Sequence, residues 1–289
     1  GPPRDTVNYT YPYCMTMSHT EAGNVEANRD RRLIALAAVA IHLSIGSIYA
    51  YSIYQLPLEE AQGWATSQVT LAFSIAVFVL GLTAAFLGTY VEEYGPRLAG
   101  LAAAVLYGAG MVGAGLSVQI GSLPLFLATF GVVGGMGIGL GYISPIGTLL
   151  EWFPDRRGMA TGLAVMGFGA GALLTGPLGS YLIQEFSVAT AFYGLGALYF
   201  VLMTLGASYL AKPADGWLPE GMQDEEDAHE KATSALPGIE TLTAAEARTS
   251  TRFWMVWLVI FINVSAGIML LAFASPMLQQ IGGATATTA

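Results

Sequence analysis

The chain alternates between seven long apolar runs and shorter polar segments. The runs cover residues 33–56, 69–91, 98–120, 123–153, 158–183, 189–211 and 253–278. A membrane-crossing helix needs about 20 mostly apolar residues, so each run is long enough to span a bilayer. The pattern predicts an all-α membrane protein in four parts: a polar tail (1–32), a six-helix bundle (33–211), a polar connection (212–252), and a seventh helix with the end of the chain (253–289).

The cationic residues occur only in alternate connections. All eleven Lys and Arg residues precede the first run or fall between runs two and three, four and five, or six and seven. The other connections carry none. Because cytoplasmic loops of membrane proteins are enriched in Lys and Arg, this predicts a multi-pass protein of the plasma or inner membrane with a cytoplasmic N-terminus.

The composition supports a lipid environment. Hydrophobic residues make up 54% of the chain and charged residues only 11%, whereas a soluble domain carries about 25% charged residues. Much of the acidic excess lies in one polar segment, residues 214–230, which we interpret as a solvated loop rather than as a site for a cationic partner. We expect no nucleic-acid partner. One cysteine excludes an internal disulfide, and three widely spaced histidines do not form a local metal motif.

Glycine-rich stretches in the fourth and fifth runs raise the question of nucleotide binding. Gly167, Gly169 and Ala172 satisfy the pattern G-x-G-x-x-A, but they lie inside an apolar helix, whereas a dinucleotide site needs a preceding strand. Gly131, Gly135 and Gly139 recur every four residues, a spacing that brings small residues to one helix face and allows close packing. We therefore expect helix packing and no cofactor.

The segment between runs two and three, GTYVEEYGPR at residues 88–97, resembles the major facilitator superfamily signature G-x-x-x-D-R-x-G-R-R. Gly88, Gly95 and Arg97 match, and Glu92 replaces the aspartate. Glu93 and Pro96 depart from the basic residues of the pattern. In that superfamily the acid and the base close a cytoplasmic gate. The resemblance implies gating roles for Glu92 and Arg97, and we expect the same of the two arginines Arg156 and Arg157.

Residues 141–162, GYISPIGTLLEWFPDRRGMATG, resemble the oxalate/formate antiporter family and its monocarboxylate-transporter relatives. GSIYAYSIYQLPL in run one and RFWMVWLVIFINVSAGIMLLAFASPM around run seven resemble them too. The family fold has twelve helices in two six-helix halves. The resemblance therefore implies a major facilitator fold that stops after helix seven, and we expect transport to need a C-terminal half that this chain lacks.

In that fold helices one, four and seven line the substrate cavity. The resemblance implies that Tyr49 and Tyr142 bind substrate, since phenolic hydroxyls can donate to a carboxylate without burying a charge. His42 and Asn263 are further candidates. His42 is an ionisable group inside a span, although a neutral histidine bonded to a neighbouring helix fits equally well, and the tyrosines could simply pack between helices. Ile48 and Phe168 depart from oxalate-transporting members, which weakens the case for oxalate itself.

These features predict a secondary transporter of small mono- or dicarboxylates such as formate, oxalate, lactate or pyruvate, working by exchange or facilitated diffusion. The alternative is a seven-helix receptor or photoreceptor. A cytoplasmic N-terminus and a seventh run without a lysine for retinal oppose that alternative. A membrane enzyme is a third alternative, but the sequence shows no metal-binding cluster and no nucleophile–base pair that would indicate one.

Overall fold

The computed structural model describes residues 29–214, 217, 219 and 249–281. Within these residues seven helices are long and apolar enough to cross a membrane, and no strand occurs, which confirms the predicted all-α membrane fold. The expected tail and polar connection lie largely outside the described residues. The helices are α1 (Arg31–Gln62), α2 (Thr66–Tyr94), α3 (Pro96–Gln119), α4 (Leu123–Trp152), α5 (Arg157–Glu185), α6 (Val188–Tyr209) and α7 (Thr251–Gln280).

Helix α1 extends beyond its apolar run. It ends at Gln62 rather than at residue 56, because its polar last turns remain helical until Gly63. Gly63 has a φ of 67°, in the left-handed region that favours glycine and commonly ends helices. Glu59 and Glu60 therefore lie on the helix and not in a loop.

Helix α1 lies at the centre of the contacts and packs against α4, α5 and α6. Helix α3 packs against α4 and α6, and α2 packs against α4. Helix α7 contacts the middle of α1, where Ala272 and Ser275 are buried, while most of its other side chains are exposed. The first six helices thus form one bundle, with α7 against it on the α1 side.

The glycines of α4 form a packing face against α2, as their spacing predicted. A Cβ added at Gly135 would lie 2.7 Å from the carbonyl oxygen of Ala76, and one at Gly139 would lie 2.6 Å from Cβ of Thr83. Gly131 is equally close to α2, at 2.9 Å from an isoleucine side chain. Any larger residue at these positions would force the two helices apart.

Helices α1 and α5 approach each other still more closely. A Cβ at Gly46 would lie 1.9 Å from the carbonyl oxygen of Phe168, and one at Gly171 would lie 2.4 Å from that of Leu43. Backbone therefore meets backbone at this crossing, which positions the side chains around it.

Two irregular helical stretches meet beside this crossing. Residues Gly46–Tyr54 of α1 form a 3₁₀ helix, and residues Leu127–Gly134 of α4 form a π-helix. Runs of 3₁₀ helix longer than four residues are uncommon, and π-helical turns are frequent at functional sites. The ring of Tyr51 joins the two stretches, because it lies 5.1 Å from that of Phe130.

All described Lys and Arg residues lie at the end of the bundle where α1 begins, which we call the basic end. They are Arg29, Arg31, Arg32, Arg97, Arg156, Arg157, Lys212 and Arg252. At the opposite end, where α1 stops, the charged residues that the structure describes are all acidic: Glu59, Glu60 and Glu185.

Candidate substrate site

Three aromatic side chains from α1, α4 and α5 form a cluster in the bundle. The Tyr49 ring lies 4.7 Å from that of Phe168, and the Tyr142 ring lies 5.6 Å from it, both edge to face. Phe168 is buried between the two half-buried tyrosines. Neither tyrosine hydroxyl has a hydrogen-bond partner among the described residues. Two free phenolic donors therefore flank one apolar ring.

His42 supports this cluster from inside the bundle. It is fully buried, and its Nε2 lies 3.2 Å from the backbone carbonyl oxygen of Tyr142. Because a carbonyl only accepts, Nε2 carries the proton and donates it. The imidazole ring also meets the Tyr142 ring edge to face at 6.0 Å. The neighbouring helix makes room with Gly167, where a Cβ would lie 3.1 Å from Cβ of His42.

A buried network of hydroxyl groups anchors the 3₁₀ part of α1 to three other helices. Ser47 of α1 bonds to the Tyr107 hydroxyl of α3, and Thr175 of α5 bonds to the Tyr199 hydroxyl of α6 at 2.7 Å. The two tyrosine rings stack 5.9 Å apart. Sequence reasoning did not select Tyr107, Thr175 or Tyr199. These residues could have been found in the sequence as polar side chains within apolar runs.

Asn263 lies apart from the cluster. It is exposed on α7, nearer the basic end than Ala272 and Ser275, which pack against α1. The structure thus brings together Tyr49, Tyr142 and His42 from the sequence-predicted set but does not bring Asn263 to them.

The predicted gating residue Glu92 lines a cavity of about 190 Å³ between α2 and α4 at the basic end. Lys212, which follows α6, donates from Nζ to the backbone carbonyl of Glu92. Glu151 and Ser144 line the same cavity, and the Ser144 hydroxyl is buried without a partner in the described part of the chain. Arg97 lines a separate neighbouring cavity that also includes Lys212, and it forms no ion pair with another described residue.

The turn between α4 and α5 is tied to the start of α1. Arg31 forms an ion pair with Asp155 and donates from Nε to the carbonyl oxygen of Trp152 at 2.8 Å. Its guanidinium also lies 4.5 Å from the Phe153 ring centre. The predicted gating residue Arg156 pairs with the same Asp155, at 3.5 Å. Sequence reasoning missed the role of Arg31 and Asp155, although the acid was visible within WFPDRRG.

Arg157 occupies the first position of α5. Its side chain is exposed and makes no ion pair among the residues that the structure describes.

Comparisons with known proteins agree with this architecture. The family model described as Major Facilitator Superfamily matches residues 34–289. The chain is 25% identical to an oxalate:formate antiporter of Oxalobacter formigenes over 251 residues, which cover 86% of this chain and 56% of that protein. It is 26% identical to monocarboxylate transporter 14 of Mus musculus over 210 residues, covering 72% of this chain and 39% of that protein.

A solved structure has the same fold. A bacterial homolog to the human lysosomal transporter Spinster, in an inward-facing and unoccupied conformation, matches with a TM-score of 0.64 and 16% identity, over 89% of this chain and 57% of that one. The chain thus spans little more than half the length of the antiporter and of the structure that it matches.

Proposed function

Since the chain belongs to the major facilitator superfamily, we propose that it forms the substrate-binding bundle of a secondary transporter for small organic anions. The observation that carries the proposal is the cluster of Tyr49, Phe168 and Tyr142, in which two tyrosine rings pack against one buried phenylalanine ring and their hydroxyls have no partner among the described residues. Hydroxyl donors suit a carboxylate in a membrane, since they bind its oxygens without burying a second charge.

Small monocarboxylates, such as formate, lactate and pyruvate, are the favoured substrates. Phe168 places a ring without a hydroxyl between the two tyrosines, so the site offers donors on its sides and an apolar surface at its centre. A second carboxylate, as in oxalate, would meet that apolar surface. Two relatives, an oxalate:formate antiporter and a monocarboxylate transporter, support carboxylates as the broader substrate class.

Alternating access, by exchange or facilitated diffusion, is the proposed mechanism. Transporters of this kind rock one helical bundle against another around a site near the middle of the membrane. The basic end faces the cytoplasm, because Lys and Arg accumulate on that side. Glu92, Arg97, Arg156 and Arg157 act there as gating residues. The ion pairs of Asp155 with Arg31 and with Arg156 support this role for Arg156. The superfamily match favours a transporter over a seven-helix receptor.

Uptake into proteoliposomes tests the proposal. The full-length gene product is purified, reconstituted, and offered labelled formate, lactate, pyruvate or oxalate in parallel. We expect Tyr49→Phe and Tyr142→Phe each to raise KM by roughly tenfold, the loss of about one hydrogen bond to a charged group. Tyr181→Phe is the matched control, since Tyr181 is 54% exposed on α5. Unchanged uptake in both site variants would refute the site, and no uptake of any carboxylate would refute the substrate class.

Labelling of single cysteines tests the orientation. In a background from which Cys14 has been removed, Arg32→Cys is expected to react with a membrane-impermeant reagent only after the cells are opened. Reaction in intact cells would place the basic end outside and would contradict the transporter topology.

A further inference from the structure

The last two turns of α1, at the end opposite the basic end, carry two buried oxygen atoms without partners. Gln55 is 3% exposed, and its Oε1 has no hydrogen-bond partner in the described part of the chain. Oε1 of Glu59 is likewise buried and unpartnered. Residues four apart on a helix lie one above the other. Buried polar atoms are nearly always paired with protein, water or an ion, so these two oxygens indicate a missing partner.

Both side chains line one cavity between α1, α2 and α7. The cavity measures about 360 Å³, and its walls include Thr66 at the start of α2 together with Phe273 and Pro276 of α7. The side-chain oxygen of Thr66 is a third possible ligand in the same space. The cavity is otherwise mostly apolar, so its oxygen atoms are concentrated on the side formed by α1 and α2.

The charges around this cavity favour a cation. Within the described residues no Lys or Arg lies at this end of the bundle. Glu59 therefore has no basic side chain here to balance its carboxylate. Glu60, one residue later, lines a different cavity with Ser180 and Gln184. A single carboxylate with neutral oxygens matches one positive charge.

We propose that Gln55, Glu59 and Thr66 hold one monovalent inorganic cation, Na⁺ or K⁺, against α7. Carbonyl, carboxylate and hydroxyl oxygens are the ligands that hard cations prefer. The cation supplies the partner that both buried oxygens lack. Because the oxygens come from the end of α1 and the start of α2, a bound cation also stabilises the contact between these two helices. The site does not depend on the proposed anion substrate.

Direct binding measurements test the site. Purified wild-type protein in detergent is equilibrated with radiolabelled sodium, or with radiolabelled rubidium as a substitute for potassium, in a choline chloride background at constant ionic strength. We expect saturable binding of one ion per chain, and the ion that competes better identifies the natural ligand. Glu59→Gln removes the charge and is expected to weaken binding by roughly tenfold or more. Gln55→Leu removes a neutral ligand and weakens it less.

Glu60→Gln is the matched control, because it removes the same charge one residue away in a different cavity. It is expected to bind the cation like the wild type. Thermal unfolding followed by tryptophan fluorescence provides a second readout, in which the cation raises the Tm of the wild type and of Glu60→Gln but not of Glu59→Gln.

Three results would overturn the proposal. The first is the absence of saturable sodium or rubidium binding in the choline background, and the second is an equal loss of cation binding in Glu59→Gln and Glu60→Gln. The third is a rise in Tm on acidification alone, without any added cation. The last result would mean that a proton occupies the site. Carboxylate uptake by the wild-type protein in choline medium tests the proposed transport function separately from the cation site, so failure of one is distinguishable from failure of the other.

Discussion

Replacing Gly171 by alanine tests the helix crossing that holds the candidate site together. The new Cβ would lie 2.4 Å from the carbonyl oxygen of Leu43 and 2.6 Å from the carbonyl carbon of Gly46. Ordinary contact begins near 3.4 Å, so 3.4 − 2.4 leaves a deficit of 1.0 Å. Both opposing atoms are backbone and have no rotamer that could relieve the clash. Helices α1 and α5 must therefore move apart by about this distance.

Forcing extra volume into a packed interior costs roughly 1–3 kcal/mol. Gly169→Ala is a matched control two residues away on α5, because its Cβ would meet no atom within 4 Å. Alanine is the better helix former by about 1 kcal/mol, so the control is expected to be neutral or slightly stabilised. Because both variants gain the same helix propensity, they should differ in free energy of unfolding by the packing cost alone, roughly 1–3 kcal/mol.

The assay is detergent-induced unfolding followed by tryptophan fluorescence, combined with a carboxylate-binding measurement. Phe168 lies one turn before Gly171 and contacts the Tyr49 ring at 4.7 Å. Separation of the helices should loosen this contact, so carboxylate affinity is expected to fall together with stability. Equal stability of Gly171→Ala and Gly169→Ala would refute the close approach of α1 and α5.

Two further predictions concern residues that join helices. His42→Leu removes the donor to the Tyr142 carbonyl and should weaken carboxylate binding severalfold. His42→Gln should partly restore binding, because an amide can donate. A loss of binding in His42→Gln as large as in His42→Leu would contradict this role of the hydrogen bond. Arg31→Gln breaks the ion pair with Asp155 and the bond to the Trp152 carbonyl and should lower the free energy of unfolding by about 1.5–3 kcal/mol. The control is Arg32→Gln, whose exposed side chain makes no ion pair among the described residues, and equal effects of both variants would show that the Arg31 contacts add nothing.

The membrane helices could be predicted because their signal is local in the sequence. The apolar run at residues 98–120 predicted a helix that the structure places at Pro96–Gln119. The end of α1 was missed, because Glu59 and Glu60 are polar and hydropathy alone does not distinguish a loop from the polar last turn of a helix.

The candidate site was predicted only in part. Tyr49, Tyr142 and His42 could be selected because each is a polar or ionisable residue in an apolar run. The residues that pack against them could not be predicted in this way, because an apolar side chain does not stand out within an apolar run. Phe168 looked like a departure from a transporter pattern, and only the packing of α1 against α5 shows that its ring lies between the two tyrosines.

By itself the sequence determined that the protein is helical, where its helices run and which ends carry the positive charge. A bilayer requires long apolar helices and an uneven distribution of Lys and Arg, and both are properties of neighbouring residues. Only the tertiary structure decided which side chains meet. Arg31 finds Asp155, and Gln55 and Glu59 share a cavity with α7, because the helices pack at particular faces. Those contacts depend on residues that are distant in the chain and leave no periodic pattern within any one helix.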